Sequence, residues 1–398
     1  MKNLRLSLIA ALAIGATSST LSANTLQEAL TNGKISGEVT ATYENRSFDK
    51  ETESTYYRDS EYSVGSFALK YETGVWNNLS LTTKARAYLT IFEDDDKADT
   101  GTGKGDATSR FYEKNGSNRS IDLEEFYLTY TPNKNITITT GRQAISTDWI
   151  NKTHDAVKID ATFADTSIEA IWSLRDGRVY GRDYRPIEKI NENKGVYKLG
   201  LTQKFNDNIS ATAYGLIMPD MKDIYGAKVN LSLNDINARV HYAQSKEDEA
   251  PSNKDKSSLI DLMASTTIAG FTPYIGYVKV DDDAAFPGYG TSYSNDSGEI
   301  IVPFEEGDYF YSRGAQTYYI GLSKTISKLS ATLLYGNTEY YASATGNEKR
   351  DLDETTLWLG YPIMKDLSAN LGYTIVDEDS NSSVSDYDQI NLTLTYSF

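Results

Sequence analysis

From residue 35 to the C-terminus, apolar and polar residues alternate with a period of two, and helical periodicity is nearly absent. The last segment is the plainest. Ile390, Leu392, Leu394, Tyr396 and Phe398 share one face, while Asn391, Thr393, Thr395 and Ser397 share the other. Leu79 to Ile91 repeats the pattern, with Leu79, Leu81, Ala85, Ala87, Leu89 and Ile91 opposed to Ser80, Thr82, Lys84, Arg86 and Thr90. The apolar faces followed in this way carry no charge. A lipid-facing Lys or Arg costs about 2–4 kcal/mol at mid-membrane, so a membrane barrel needs such a face. The breaks predict strands at 35–48, 58–73, 77–92, 119–131, 134–142, 155–163, 166–174, 194–205, 208–217, 223–233, 236–246, 256–269, 271–281, 315–326, 328–341, 350–362, 366–377 and 386–398. These are eighteen strands, an even number, as single-chain bacterial barrels have.

The connections are expected to alternate in length. Short ones fall around Pro132-Asn133, Asn206-Asp207, Asn234-Asp235, Gly270 and residues 363–365. Long ones fall at 93–118, 143–154, 175–193, 282–314 and 378–385. Short periplasmic turns on one rim and long extracellular loops on the other are what an all-β, antiparallel transmembrane barrel over residues 35–398 requires.

The chain opens differently. Lys2 and Arg5 precede an apolar stretch from Leu6 to Ala16, and small residues end in Leu21-Ser22-Ala23. This is the layout of a secretory signal peptide over residues 1–23, too short in its apolar part to span a bilayer. Residues 24–34 then form a short periplasmic segment. Thr25 and Glu28 are spaced as a capping box and Gly33 suits a helix end, which predicts one or two helical turns.

Composition narrows the function. The 398 residues include no cysteine and two histidines, His154 and His241, which leaves little for thiol, metallohydrolase or His-based triad chemistry. No cofactor is implied. A net charge of −17 speaks against nucleic acid as a partner, since phosphate is met by Lys and Arg. Mean hydropathy is −0.49 and there is no 18-residue apolar run, which excludes helical spans but not a barrel with a polar lumen. The thirty tyrosines, with Tyr43, Tyr71, Tyr130, Tyr242, Tyr335, Tyr361 and Tyr396 near strand ends, suit aromatic girdles at the two interfaces.

Several stretches resemble the Opr (OprD-like) porins and the campylobacterial major outer-membrane porins. They are LQEALTNGKISG from Leu26 to Gly37, EFYLTYTPNKNITITTG from Glu125 to Gly141, and the run from Gly141-Arg142-Gln143 through Asn151 to Asp155. The terminal LTLTYSF agrees and is common to many barrels. The resemblance implies an eighteen-strand porin in the outer membrane of a Gram-negative cell, often a homotrimer, in contact with lipid and lipopolysaccharide, through which small ions and polar solutes diffuse. The terminal Phe398 is, by the same resemblance, an assembly signal.

Strand parity places Lys70, Lys84, Arg86, Lys158, Lys198, Lys204, Lys228 and Arg239 inward, with Glu38, Glu44, Glu72, Glu125, Asp160, Glu169 and Asp261. The wall is balanced, so the negative excess lies in loops. Residues 281–313 hold eight acids and one base, and 377–388 hold five acids and no base. The loop at 175–194 is instead rich in arginine: Arg175, Arg178, Arg182 and Arg185 stand among Tyr180, Asp183 and Tyr184. Arg forks bind carboxylate or phosphate, so this loop either lines the channel as an anion ladder or pairs with its own acids. The loop at 143–154 is the third extracellular one and carries Asp148, Trp149, Lys152 and His154; porins commonly fold this loop inward as a constriction. Arg142, by parity with Ile136 and Ile138, points outward unless a bulge turns it. The pore-lining set is therefore Lys84, Arg86, Arg142, Asp148, Lys152, Arg175, Arg178, Arg182, Arg185 and Arg239. Asp94-Asp95-Asp96 and Asp281-Asp282-Asp283 offer hard oxygen donors without the spacing of a helix–loop–helix calcium site.

Passive diffusion is the leading expectation. A surface adhesin or receptor using the acidic loops is the alternative, and a barrel enzyme lacks a recognisable nucleophile–base motif. The arginine loop favours anions, but the acidic outer loops at the vestibule tilt the expectation toward cations.

Overall fold

The computed structural model describes residues 23–49, 59–94, 111, 113–114, 117–118, 121–247, 256–286, 303–307, 309–379 and 386–398. Eighteen long strands make the barrel: β1 (Lys34–Phe48), β2 (Ser60–Glu72), β3 (Leu79–Glu93), β4 (Ile121–Asn133), β5 (Ile136–Ser146), β6 (Asn151–Phe163), β7 (Thr166–Val179), β8 (Val196–Asn206) and β9 (Ile209–Met218), followed by β10 (Lys222–Leu233), β11 (Ile236–Glu247), β12 (Lys256–Thr266), β13 (Phe271–Val280), β14 (Gln316–Ile326), β15 (Leu329–Tyr341), β16 (Lys349–Met364), β17 (Leu367–Glu378) and β18 (Tyr387–Ser397). Each pairs antiparallel with its neighbours in sequence, and β1 closes on β18 from Glu38↔Ser397 to Phe48↔Tyr387. Closure removes every free edge, which a membrane demands because lipid offers no hydrogen bonds. The signal-peptide reading falls on residues outside those described, apart from Ala23.

The alternation read from the sequence holds in space. Leu69, Leu89, Leu128, Ile159, Leu199, Val240, Ile320, Leu333 and Leu394 are exposed on the outside. Polar residues of opposite parity, such as Thr42, Thr317, Thr356 and Thr374, are covered within. The tyrosines divide between two roles. Tyr130, Tyr242, Tyr335, Tyr361 and Tyr396 are exposed, as girdle residues should be, but Tyr43 and Tyr71 are half-covered. Tyr62, Tyr88, Tyr214, Tyr274, Tyr319 and Tyr340 are buried on the inner side, where aromatic bulk fills the bore. Tyr274 and Tyr319 each lie across the cross-strand glycine of the other's strand, Gly321 and Gly276, where a Cβ would collide with the ring.

Two expectations about connections need correction. The long loop at 143–154 is in fact a four-residue link at 147–150, because β5 runs on to Ser146 and β6 begins at Asn151. The link between β9 and β10 spans only 219–221, so extracellular connections are not uniformly long. The arginine loop is also more ordered than expected. β7 continues to Val179, the chain turns with Tyr180 N–H donating to Asp183 O at 2.9 Å, and Tyr184–Lys189 runs back as a strand against β7. Pro132 lies inside β4 at an irregularity in its pairing with β5, where its missing N–H costs no ladder bond.

The predicted N-terminal helix is present. α1 (Leu26–Thr31) is capped by Thr25, whose side chain accepts from Glu28 N at 3.1 Å while Glu28 reaches back to Thr25 N at 3.2 Å.

Candidate functional site

The inner wall over β1–β4 is built on one irregularity. Ala85 pairs with Leu123 and Lys84 with Glu125, so Glu124 is an extra residue in β4. Such a bulge turns two consecutive residues to one side, and both glutamates face the bore. Glu124 receives Lys84 Nζ at 2.7 Å and Arg86 Nε at 2.9 Å. Arg86 also bonds Glu38 and donates to Ser66 Oγ at 2.7 Å, and its side chain is only 1% exposed. Lys70 lies 3.7 Å from Glu125 and 3.3 Å from Glu72. Parity alone had supplied Glu125 and missed Glu124; a bulge leaves no mark on the residue pattern.

Further round the barrel the wall charges are again paired. Lys158 bonds Asp160 and lies 3.6 Å from Glu169, which also receives Lys198 at 2.8 Å. Arg239 donates to Asp261 at 2.6 Å. The opposite sector is lined by hydroxyl pairs instead. Thr317–Thr338 at 2.9 Å, Ser323–Thr332 at 2.9 Å, Thr356–Thr374 at 3.1 Å and Thr42–Thr393 at 3.3 Å bridge β14 to β18 and β1.

Three extracellular connections fold into the bore over this wall. The link at 147–150 is short but reaches far. Asp148 pairs with Lys228 on β10, and Thr147 Oγ1 accepts from Lys198 on β8 at 2.8 Å. Trp149 is wholly buried; its indole donates to Tyr214 Oη at 2.7 Å, which bonds His241 Nε2 at 2.7 Å. Since β6 stands four strands from β10, the tip has crossed part of the bore. Burial opposes ionisation of Asp148, but the Lys228 ammonium more than offsets it and holds the carboxyl below the usual carboxylate range.

The arginine hairpin crosses the other way, from β7 to the β1–β4 wall. At its tip a Cβ on Gly181 would come within 2.9 Å of Thr40 Oγ1 and 3.0 Å of Arg86 Nη1, so any larger residue there would push those side chains aside. Tyr88 donates to Tyr180 O at 3.0 Å, and Tyr184 donates to Asp122 Oδ2 at 2.8 Å.

The third connection follows β13. Glu354 on β16 accepts from three successive backbone N–H groups, those of Glu305 at 3.0 Å, Glu306 at 3.1 Å and Gly307 at 2.9 Å. Glu306 pairs with Arg46 at 3.1 Å, and Trp358 donates to Glu305 Oε2 at 3.2 Å. Arg182 from the hairpin bonds Glu305, and Trp149 stacks on Phe286 at 5.1 Å. The three insertions thus interlock. Burial would raise the Glu305 carboxyl, but Arg182 and the Trp358 hydrogen bond hold it below the ordinary range.

The pore-lining set fares unevenly. Lys84, Arg86 and Arg239 are on the inner wall, and Asp148 and Arg182 are on the inserted segments. Arg178 pairs with Asp183 within its own hairpin, and Arg185 stands opposite it in register. Lys152 opens β6 at φ 81° opposite Ile145. Arg175 is turned away from the bore, and Arg142 lies at its edge, 3.7 Å from Asp122, the carboxylate that accepts from Tyr184 of the hairpin. Arg142 fills the seam where β4 and β5 part, donating to Asp155 at 2.7 and 3.1 Å and to Leu123 O at 3.0 Å. Gly141, at φ 123°, makes that departure, since a Cβ there would strike Phe126 O. Arg175 flanks Asp155 at 4.0 Å.

His154 Nδ1 lies 2.9 Å from Ser173 Oγ and Nε2 lies 2.7 Å from Asn151 O. A hydroxyl on an imidazole is the outline of a nucleophile–base pair, but both residues are wholly buried and out of reach of a substrate. Asp95 and Asp96 fall outside the described residues. Asp281 to Asp283 are tied to Ser258, Lys279 and their own backbone. Among the described residues no group of acids or histidines is arranged to hold a metal.

An apolar exterior, an ionic and hydroxylated bore and inward-folded connections on eighteen closed strands define a porin-type outer-membrane barrel. The first 171 residues match the model of the family described as Campylobacter major outer membrane protein. In fold the chain is similar to Acinetobacter baumannii OccAB2 (TM-score 0.72, 17% identity, covering 93% of this chain and 99% of that one). It is likewise similar to Pseudomonas aeruginosa OccK8 (OprE), with TM-score 0.71, 14% identity and 92% and 98% coverage, and to P. aeruginosa OccK3 (OpdO), with TM-score 0.70, 15% identity and 94% and 97% coverage. The family match bears out the resemblance read from the sequence, and the solved structures bear out the barrel fold. Among curated proteins none matches the chain.

Proposed function

We propose that the protein is a porin of the Gram-negative outer membrane, through which ions and small hydrophilic solutes diffuse passively past a constriction made by the three inserted connections. The observation that carries this is that ionised wall groups keep contact with solvent inside an apolar shell: the side chains of Asp160, Glu169 and Arg239 are 47, 24 and 24% exposed. An ionic wall is stable there only if the bore holds water. Lys84, Asp148, Arg182 and Arg239 line the path, Arg86 is buried behind Lys84 in the wall, and Arg178 and Arg185 contribute to the field of the hairpin.

The chain is exported by residues 1–23, which are removed, and residues 24–34 stay at the periplasmic rim. Cleavage after Ala23 leaves a free ammonium at Asn24, whose nitrogen lies 2.8 Å from Glu28 Oε2 and gains an ion pair. Arg175, 48% exposed near the extracellular rim, suits lipopolysaccharide phosphate, and the barrels assemble as homotrimers. Native mass spectrometry of the purified protein reads the oligomer.

Purified protein in a planar bilayer gives stepwise conductance; a silent membrane overturns the channel. Neutralising Arg178, Arg182 and Arg185 together shifts the reversal potential toward cations, and an unmoved potential removes the hairpin from the path.

A further inference from the structure

We propose that α1 is a lipid-facing foot of the barrel, with Leu26 and Leu30 seated in the periplasmic leaflet of the membrane. The proposal rests on the reading of the barrel as membrane-spanning, and adds an interaction surface to it.

The two leucines are four residues apart, hence on one helix face, and they are 51 and 48% exposed although Ala29, which borders that face one turn from Leu26, is buried against the barrel. A six-residue helix does not persist by itself in water, so its position is imposed by what it touches. Gly74 N donates to Ala29 O at 2.9 Å, which ties the segment to the turn between β2 and β3. The Tyr71 hydroxyl donates to Leu30 O.

Tyr71 sets the side. It pairs across the ladder with Ile35 and Thr83 and has the parity of Phe67 and Leu69, all on the outward face. A Cβ on Gly33 would run into the Tyr71 ring, so the chain leaving α1 passes directly over that ring. The helix therefore lies where an outward tyrosine reaches it, against the outer side of the rim and not beneath the bore. Leu26 and Leu30 extend the apolar surface of Ile35, Phe67 and Leu69, and the occupant continuous with that surface is the phospholipid leaflet.

The absence of cysteine makes the test clean. Leu26→Cys, Leu30→Cys and, as control, Gln27→Cys are each labelled with bimane and reconstituted into phosphatidylethanolamine/phosphatidylglycerol vesicles. Labels at 26 and 30 are expected to emit at shorter wavelength, to be quenched by nitroxide-bearing phospholipid and to be protected from aqueous iodide, while the label at 27 is quenched by iodide. Iodide quenching at 26 and 30 equal to that at 27 overturns the proposal. Conductance of the same samples is read separately. Lipid quenching without conductance keeps the foot and removes the channel, and conductance with iodide quenching does the reverse.

Discussion

Arg86 is a cation with almost no contact with solvent, held by Glu124, Glu38 and Ser66 at once. Removing one partner of a buried pair leaves charge uncompensated and costs about 3–5 kcal/mol. Glu124→Gln is therefore expected to lower the denaturation midpoint of the folded barrel more than Glu72→Gln, whose carboxylate is half-exposed; urea titration followed on unheated gels reads the difference. Acidity acts on the loop carboxylates. Asp148 and Glu305 titrate below their ordinary values, so the stabilisation from their pairing is complete above about pH 4–4.5 and is lost as pH falls through the lowered values. Single-channel conductance should stay level from pH 7 to about 5 and rise only in stronger acid. Parity read these residues well where the ladder is regular, as at Lys84, Arg86 and Arg239. It failed at Glu124, because a bulge changes phase without changing residue type.

Among elements, strands and inserted connections obey different rules. A strand's faces are fixed by its own two-residue repeat, which is why all eighteen were located from the sequence. A connection's path is fixed by what it meets. The 147–150 link is held by Trp149, whose loss removes both the Tyr214 bond and the Phe286 stack. Trp→Ala at such a buried site costs about 3–5 kcal/mol locally. Trp149→Ala should raise unit conductance and open-channel noise while leaving the barrel's melting nearly unchanged, since no ladder bond is touched. The clasp between the hairpin and the third connection rests on Arg182 and Glu305. Either Arg182→Gln or Glu305→Gln is expected to widen the channel, and the double variant to add little to either single one, because the pair acts as a unit. Bilayer recordings of the four proteins close that cycle.

For the molecule as a whole, the test of the architecture is a lysine moved by one residue. Leu392→Lys puts a charge among lipids and costs about 2–4 kcal/mol, whereas Thr393→Lys puts it in the water of the bore and costs far less. Refolding yield into detergent should fall for the first and hold for the second; equal losses would mean the faces are misassigned. The sequence by itself determined that the chain alternates between two solvents and how many times it crosses, because side-chain period is a local property read two residues at a time. The capped N-terminal helix was legible for the same reason. Only the tertiary structure decided which connections enter the bore and what holds them there. Arg182 meets Glu305 across 123 residues and Lys228 meets Asp148 across 80, and such pairings exist only once closure has brought distant strands round one axis.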